Sequence, residues 1–163
     1  MRSVRTISRK GLRRESLGYF LAGFVEGEGS FNVSLRRKVD YKVNWQVVMS
    51  LNVSQKDPTI LGIIKEELGC GIIKVRKKDL LYSYDVTKPQ DIIQKVIPYF
   101  QKFPLLSKSK RKNFAIFCKI AQIMGKGGHK NLSGLRKILE LREGLNEGKG
   151  RTRKYGIRDI FPD

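Results

Sequence analysis

The sequence predicts an α+β fold in which one antiparallel sheet carries helices on a single face. Two observations lead to this prediction. Apolar and polar residues alternate with a period of two in two neighbouring pairs of segments, and helical periodicity fills the segments before, between and after them. Of the 163 residues, 40% are hydrophobic, so a single domain of this length can bury a real core.

The first elements are a helix and a hairpin. Residues 15–25 are apolar with small residues interspersed, and the glycines of the EGEG that follows close this helix. Strict alternation over residues 31–36 predicts a strand with one face buried. After a turn at residues 38–40 the alternation resumes over residues 41–53, which predicts the longest strand of the chain.

A second helix and a second hairpin follow. Asp57 as N-cap, Pro58 at the first helical position and Gly69 as the stop define the helix. Residues 71–78 and 80–87 form the hairpin. The residues of its first strand predicted to face the core are Ile73 and Val75.

Three helices complete the chain. Proline opens the helix over residues 89–100, and apolar spacing defines the helices over 107–124 and 132–145. The basic segment after them is expected to be mobile. The predicted organisation is a basic N-terminal arm at 1–14, a domain at 15–147 and a basic C-terminal tail at 148–163.

The charge balance points to a polyanionic partner. Lys and Arg number 34 against 15 Asp and Glu, which gives a net charge of +19.

No run approaches the roughly 18 apolar residues of a membrane span, so no membrane partner is expected. The N-terminal segment lacks the apolar core of a secretory signal. We therefore expect a protein of an organelle (chloroplast or mitochondrion) or of the prokaryotic cytoplasm, not a secreted one.

The polar face of the predicted sheet is rich in Arg, Lys, Asn, Gln and Ser. These side chains pair with base edges and phosphates, and a two-stranded ribbon fits the DNA major groove. An ordinary solvated face is the alternative. The residues predicted to bind DNA are Asn32, Ser34, Arg36, Lys38, Lys42, Asn44, Gln46, Lys74, Arg76, Lys78, Ser83, Lys110 and Arg111.

The segment Leu21–Gly29 reads LAGFVEGEG and resembles the LAGLIDADG signature of homing endonucleases. It keeps the L-A-G start and the acid–small–acid–Gly ending. The order of predicted elements also fits the family's αββαββα core, over roughly residues 15–124. The resemblance implies an antiparallel sheet that serves as a DNA-binding saddle, with the helices on its other face.

The resemblance also implies a metal-dependent active site. Glu28 corresponds to the motif's last acid and would be a metal ligand, with the Gly27 carbonyl as a second ligand. Mg²⁺ suits these hard oxygens, and Mn²⁺ and Ca²⁺ are other ions that could occupy the site. Gln55 would organise active-site water, and Lys108 would lie near the scissile phosphate. Where some family members have an arginine shortly after the glutamine, this chain has Thr59.

A single motif implies a homodimer. In the family, motif helices pack together at a two-fold or pseudo-two-fold axis, which brings the two last acids together. The near-repeat at residues 60–68 has Lys at the first acid position and does not count as a second motif. The implied activity is cleavage of double-stranded DNA at a long pseudo-palindromic site by a protein that an intron encodes. The expected interface residues are Leu21, Ala22, Gly23, Val25 and Glu26.

Other functions stay open at this point. A restriction-type pattern of Glu28 followed by Asp40–Lys42 fits only loosely, because Asp40 lies in a predicted turn. One histidine and two distant cysteines argue against a histidine-based nuclease and a zinc site. The alternative from another class is a non-catalytic nucleic-acid-binding protein, such as a maturase whose partner is intron RNA. The intact motif acids favour the enzyme.

Overall fold

A computed structural model describes residues 14–148 and 152–162. The first half consists of α1 (Arg14–Glu28), β1 (Gly29–Arg37), β2 (Trp45–Gln55), α2 (Thr59–Leu68), β3 (Ile72–Val75) and β4 (Tyr82–Val86). The second half consists of α3 (Pro89–Asp91), α4 (Ile97–Lys102), α5 (Lys108–Gly125) and α6 (Leu132–Glu143). This order confirms the predicted α+β fold. The predicted N-terminal arm, apart from Arg14, lies outside the described residues.

The four strands form one antiparallel sheet in the order β1-β2-β4-β3. Burial alternates along β1 and β2, so one face of the sheet is covered by helices and the other is polar, as the sequence predicts. The covered face carries Phe31, Leu51, Val53 and Tyr84, all fully buried. The core lies between this face and the helices.

Two strand predictions are wrong in detail. The long strand begins at Trp45 and not at residue 41, because residues 38–44 form a hydrogen-bonded turn in which Asn44 has a φ of +59°. Val75 is exposed although it shares a face with Ile73, which packs against the core; Val75 is the last residue of β3, the edge strand of the sheet. Periodicity predicts the face of a residue but not how far the cover extends.

The helix predictions hold with small shifts. α2 begins at Thr59, one residue later than predicted, and Asp57 accepts a hydrogen bond from the backbone N–H of Thr59 at 2.8 Å, as expected of an N-cap residue. Gly69 ends it in the left-handed conformation, as expected. The segment from Pro89 to Lys102 is continuous, with a π-helical turn at Ile92–Val96. This turn precedes Pro98, which has no N–H for the regular helical bond.

Residues 152–162, which were expected to be a mobile tail, pack against the domain instead. The ring of Tyr155 packs against Trp45 with centroids 4.9 Å apart. Arg142, itself buried, donates to the carbonyls of Tyr155 at 2.8 Å and of Val33 at 2.7 Å. Asn146 donates to the carbonyl of Phe31 at 2.7 Å. These bonds cover the free edge of β1.

No helix within the described part of the chain combines the length and the apolar character that a membrane crossing requires.

Candidate active site and nucleic-acid interface

The motif forms the last turns of α1 and the passage into β1. The helix extends through Gly27 and Glu28, beyond the predicted end at residue 25. The chain enters β1 at once, and a Cβ on Gly29 would lie 2.5 Å from the Val25 side chain and 2.8 Å from its carbonyl oxygen. Any larger residue would clash there, which explains the glycine that ends the motif.

Glu28 is exposed at the C-terminal end of α1. Among the described residues no side chain pairs with its carboxylate, and the helix end adds unpaired backbone carbonyls, that of Gly27 among them. This site therefore gathers hard oxygen donors and negative charge, and no cation of residues 14–148 or 152–162 pairs with the Glu28 carboxylate. Such a donor set fits a divalent ion of the Mg²⁺ type. Within the described residues no cluster of three metal-ligating side chains exists.

Glu26 points the other way and is held within the chain. Its carboxylate accepts hydrogen bonds from the backbone N–H groups of Leu106 at 2.9 Å and Ser107 at 3.2 Å. Burial alone would raise the pKa of Glu26, but the hydrogen bonds from Ser107 and Leu106 outweigh it and leave the pKa lowered. Glu26, which was predicted to lie in the interface, therefore fixes the start of α5 to the end of α1 within the chain.

Two lysines at the start of α5 have different surroundings. Lys108, the predicted catalytic lysine, is the first residue of α5 and is exposed. Lys110 was predicted to bind DNA, but its ammonium donates to the carbonyl of Gly29. Burial lowers the pKa of Lys110, and the nearby Glu26 carboxylate opposes that shift. Lys110 thus fastens α5 to the α1–β1 junction, a contact that joins residues 81 positions apart and leaves no local signal in the sequence.

Gln55 lies at the same end of the sheet as Glu28. Gly29 pairs with Val53, and Gln55 ends β2 two residues further along. The structure therefore brings Glu28, Gln55 and the start of α5 to one end of the molecule. These are the elements from which the sequence predicts the active site.

The polar face of the sheet extends from this end. In the register of the strands, Asn32 pairs with Ser50, Arg36 with Gln46 and Lys74 with Ser83. The remaining exposed predicted residues lie in the two hairpin turns or at the strand ends next to them: Lys38, Lys42, Asn44, Arg76 and Lys78. Ser34 and Arg111 are exposed as well, on β1 and on α5.

One predicted contact is buried. Ser83 is 1% exposed and its hydroxyl is bonded to Asn52 and Asp85, so it lies beneath the polar face and not on it. Asn52 and Asp85, the partners of Ser83, are not among the residues that the sequence predicted to bind DNA. Alternation already placed Asn52 on the polar side of β2, which was the available signal. Asp85 is the only acid in the four strands.

The two faces of α1 separate residues that the sequence grouped as one interface. Leu21 and Val25 are buried in the chain's own core, whereas Ala22, also mostly buried, lines a surface groove together with Gly23 and Glu26. The outer face presents Tyr19 and Phe20, which are 54% and 48% exposed. The outward positions on the remaining turns are Gly23 and Gly27, and a Cβ at either would meet nothing within 4 Å.

Comparison with known proteins gives a consistent result. The model of the LAGLIDADG endonuclease family matches residues 21–121. A probable intron-encoded endonuclease 2 of Neurospora crassa is 30% identical over 146 residues, which cover 88% of this chain and 32% of that protein. The DNA endonuclease I-CvuI of Chlorella vulgaris is 34% identical over 87 residues, 50% of this chain and 53% of that one. This chain thus spans about a third to a half of the length of these two relatives.

Solved structures show the same fold. The LAGLIDADG homing endonuclease I-LtrWI bound to target DNA matches with a TM-score of 0.82 and 29% identity, over 92% of this chain and 50% of that one. The archaeal intron-encoded homing endonuclease I-Vdi141I complexed with DNA matches with a TM-score of 0.78 and 30% identity, over 88% of this chain and 91% of that one.

Proposed function

The chain belongs to the LAGLIDADG endonuclease family, and from that premise we propose that it is a site-specific endonuclease of double-stranded DNA. The observation that carries the proposal is the Glu28 carboxylate at the end of α1, where a basic, polar sheet face begins; within the part of the chain that the structure describes, no side chain pairs with it. Matched relatives are named intron-encoded, and we propose the same origin for this protein, in an organelle or a prokaryote.

The metal ligands in this proposal are the Glu28 carboxylate and the Gly27 carbonyl. A bound Mg²⁺ would supply the activation of water and the charge stabilisation that phosphodiester hydrolysis needs, and Mn²⁺ or Ca²⁺ can bind to the same hard oxygens. The support for this assignment is the chemistry of the donors and the absence of any pairing cation for Glu28 among the described residues. It does not depend on Glu26, the first acid of the motif, whose carboxylate accepts hydrogen bonds from the start of α5.

Other residues have defined roles in the proposal. Gln55, at the end of β2, holds the attacking water through its amide. Lys108 places a positive charge next to the scissile phosphate and offsets the negative charge that develops in the transition state. Glu26 and Lys110 act on this geometry indirectly, because they hold the start of α5 against the α1–β1 junction.

We propose that two copies of this unit act together as a homodimer. A single unit provides one Glu28 and one outer face of α1, while cleavage of both strands needs two sites. The open outer face, with Phe20 and the bare backbone at Gly23 and Gly27, permits close approach of a second α1. The exposed side chain of Leu106 lies beside this face and extends the apolar surface. Such a dimer reads a pseudo-palindromic DNA site.

The proposal is tested by selecting cleaved molecules from a random duplex library. The purified protein is incubated with the library in Mg²⁺ and, as the control, in EDTA. We expect cleaved ends that share one sequence with approximate two-fold symmetry, in Mg²⁺ only. Failure to enrich any sequence, together with binding of structured intron RNA, would overturn the endonuclease in favour of a non-catalytic maturase. Enrichment of an asymmetric site would overturn the homodimer alone.

A further inference from the structure

A partly buried polar cluster lies in the sheet, next to the end at which the active site is proposed. Ser30 pairs with Asn52 across β1 and β2, and Asn52 pairs with Asp85 across β2 and β4. Ser30 is two residues beyond Glu28, so this row lies close to the proposed scissile phosphate. Asp85 is only 9% exposed in spite of its charge. A buried carboxylate is retained only where its partners compensate it.

The hydrogen bonds of the cluster determine which atoms of Asn52, Ser83 and Asp85 donate and which accept. A carboxylate only accepts, so the part of the Asn52 amide that contacts Asp85 is its NH₂ group. The same NH₂ donates to the Ser83 hydroxyl at 2.8 Å, and that hydroxyl donates to both Asp85 oxygens at 3.2 Å. Lys74 completes the cluster. Its ammonium lies 2.7 Å from Oδ2 of Asp85, the oxygen that Asn52 does not contact.

The consequence for Asn52 is a loss of donor capacity. Both N–H groups of its amide are used inside the protein, and its carbonyl oxygen, which among the described residues only the Ser54 hydroxyl approaches, at 3.5 Å, still accepts. A free asparagine contacts adenine through two bonds, one donated to N7 and one accepted from N6. Asn52 held in this way can make only the second kind of contact. It matches an exocyclic amino group, that of cytosine N4 or adenine N6.

We propose that Asp85 is a positioning residue for base recognition: it holds Asn52 as an acceptor and thereby sets the base preference at one position of each half-site, near the centre of the DNA site. This inference rests on the proposed function, because it requires that the sheet face binds DNA. Lys74 is the donor held beside that acceptor, and the partly neutralised pair adds less non-specific attraction for phosphate than a free lysine does.

The test measures equilibrium binding, without divalent metal, to duplexes that carry every single base-pair change in the selected site. We expect Asp85→Asn to reduce the preference at one base pair per half-site by at least about fivefold, the lower range for loss of one specific base contact. Asn52→Ala should alter the same base pair. In the Asn52→Ala background, Asp85→Asn should have no further effect there.

Asp79→Asn is the matched control. Asp79 also pairs with a cation of the same hairpin: the Nε–H of Arg76 donates to the Asp79 carboxylate at 3.1 Å. Both variants remove one negative charge and release one cation, so each should steepen the salt dependence of binding by about one phosphate contact. Only Asp85→Asn should change the preference at the base pair that Asn52 governs.

Several outcomes would overturn the proposal. A profile for Asp85→Asn that matches the wild type and Asp79→Asn, with only the melting temperature lowered, would make Asp85 a structural residue. Changes at different base pairs in Asp85→Asn and Asn52→Ala would also contradict it. If Asp85→Asn does not fold, the Asn52→Ala profile still decides, because an unchanged preference there removes Asn52 from recognition. A wild-type protein that selects no DNA would contradict the proposed function instead.

Discussion

The inner and outer faces of α1 have opposite relations to the rest of the chain. On the inner face, a Cβ at Gly18 would lie 2.3–2.4 Å from the ring of Phe103, so a larger residue would displace the ring or the helix. On the outer face, a Cβ at Gly23 meets nothing within 4 Å. The same small residue thus serves close packing within one chain on one side, and leaves backbone open for another molecule on the other.

The two acids at the end of α1 repeat this difference. Glu26 is bonded to two backbone N–H groups at the start of α5, whereas Glu28 has no partner among the described residues. A polar group with satisfied partners organises structure, while one without them is available to a ligand. The groups of α1 that contact the rest of the chain stabilise the fold, while the groups that face outward are the ones proposed to bind metal and a second copy.

The largest effect is expected from Glu28→Gln. Removal of the charge takes away the proposed metal ligand, so cleavage in Mg²⁺ should fall at least about a thousandfold, which corresponds to roughly 4 kcal/mol. DNA affinity and the melting temperature should stay near those of the wild type, because the side chain supports no part of the fold. Single-turnover cleavage, filter binding and thermal denaturation measure the three quantities. Cleavage at the wild-type rate would remove Glu28 from the site.

Gly18→Ala tests the inner face. The added methyl overlaps the Phe103 ring, and the helix must shift or the ring must move, so the free energy of unfolding should fall by about 1–3 kcal/mol. Chemical denaturation measures it. Unchanged or increased stability would show that the ring moves aside freely, and the contrast between the two faces would then lose its physical basis.

Gly23→Ala tests the outer face. In a single chain the change should raise stability by up to about 1 kcal/mol, because alanine favours a helix and the space is open. In the proposed dimer the methyl separates the two helices, so the dissociation constant from sedimentation should rise about tenfold. Gly62→Ala is the control, since its Cβ also meets nothing and it lies in α2. Equal dimerisation of both variants would place the interface elsewhere.

Glu26→Gln should give the smallest effect, a loss of about 1 kcal/mol of stability at neutral pH, since a charged acceptor is replaced by a neutral one. The pKa of Glu26 is lowered in the folded state, so its contribution is complete above the ordinary value of about 4.5. It disappears as the pH falls through the lowered folded-state value. Denaturation at several pH values checks this, with exposed Glu140→Gln as the control. A difference that persists at low pH would contradict it.

The sequence predicted much of the site because its main signals are local. Alternation over Phe31–Leu35 and along β2 assigned the two faces of the sheet, and the nine residues Leu21–Gly29 indicated the family and the end of α1. Gln55 was indicated by the resemblance to the family and lies at the end of the strand that alternation predicts. These features depend on residues that are neighbours along the chain, where backbone geometry fixes which side each residue faces.

The sequence did not predict which residues of α1 are buried in the chain's own core, because apolar and small residues occur on every side of this helix. In LAGFV, nothing in the order of the residues distinguishes the apolar positions that meet the chain's own core from those that are left outside. Leu21 and Val25 were therefore placed in an interface, although they are buried within the chain. The hydrophobic effect is not directional, so the burial of each residue depends on which elements pack against the helix.

By itself the sequence determined the layers of the fold, the family and the acid on which the proposed chemistry turns. Only the tertiary structure decided the partners of the polar groups. Glu26 reaches residues 80 positions away, Lys110 reaches Gly29 over 81 positions, and Asp85 joins Asn52 and Lys74 from two other strands. A hydrogen bond forms wherever donor and acceptor meet, and for these groups the meeting is set by the packing of whole elements, which no local pattern encodes.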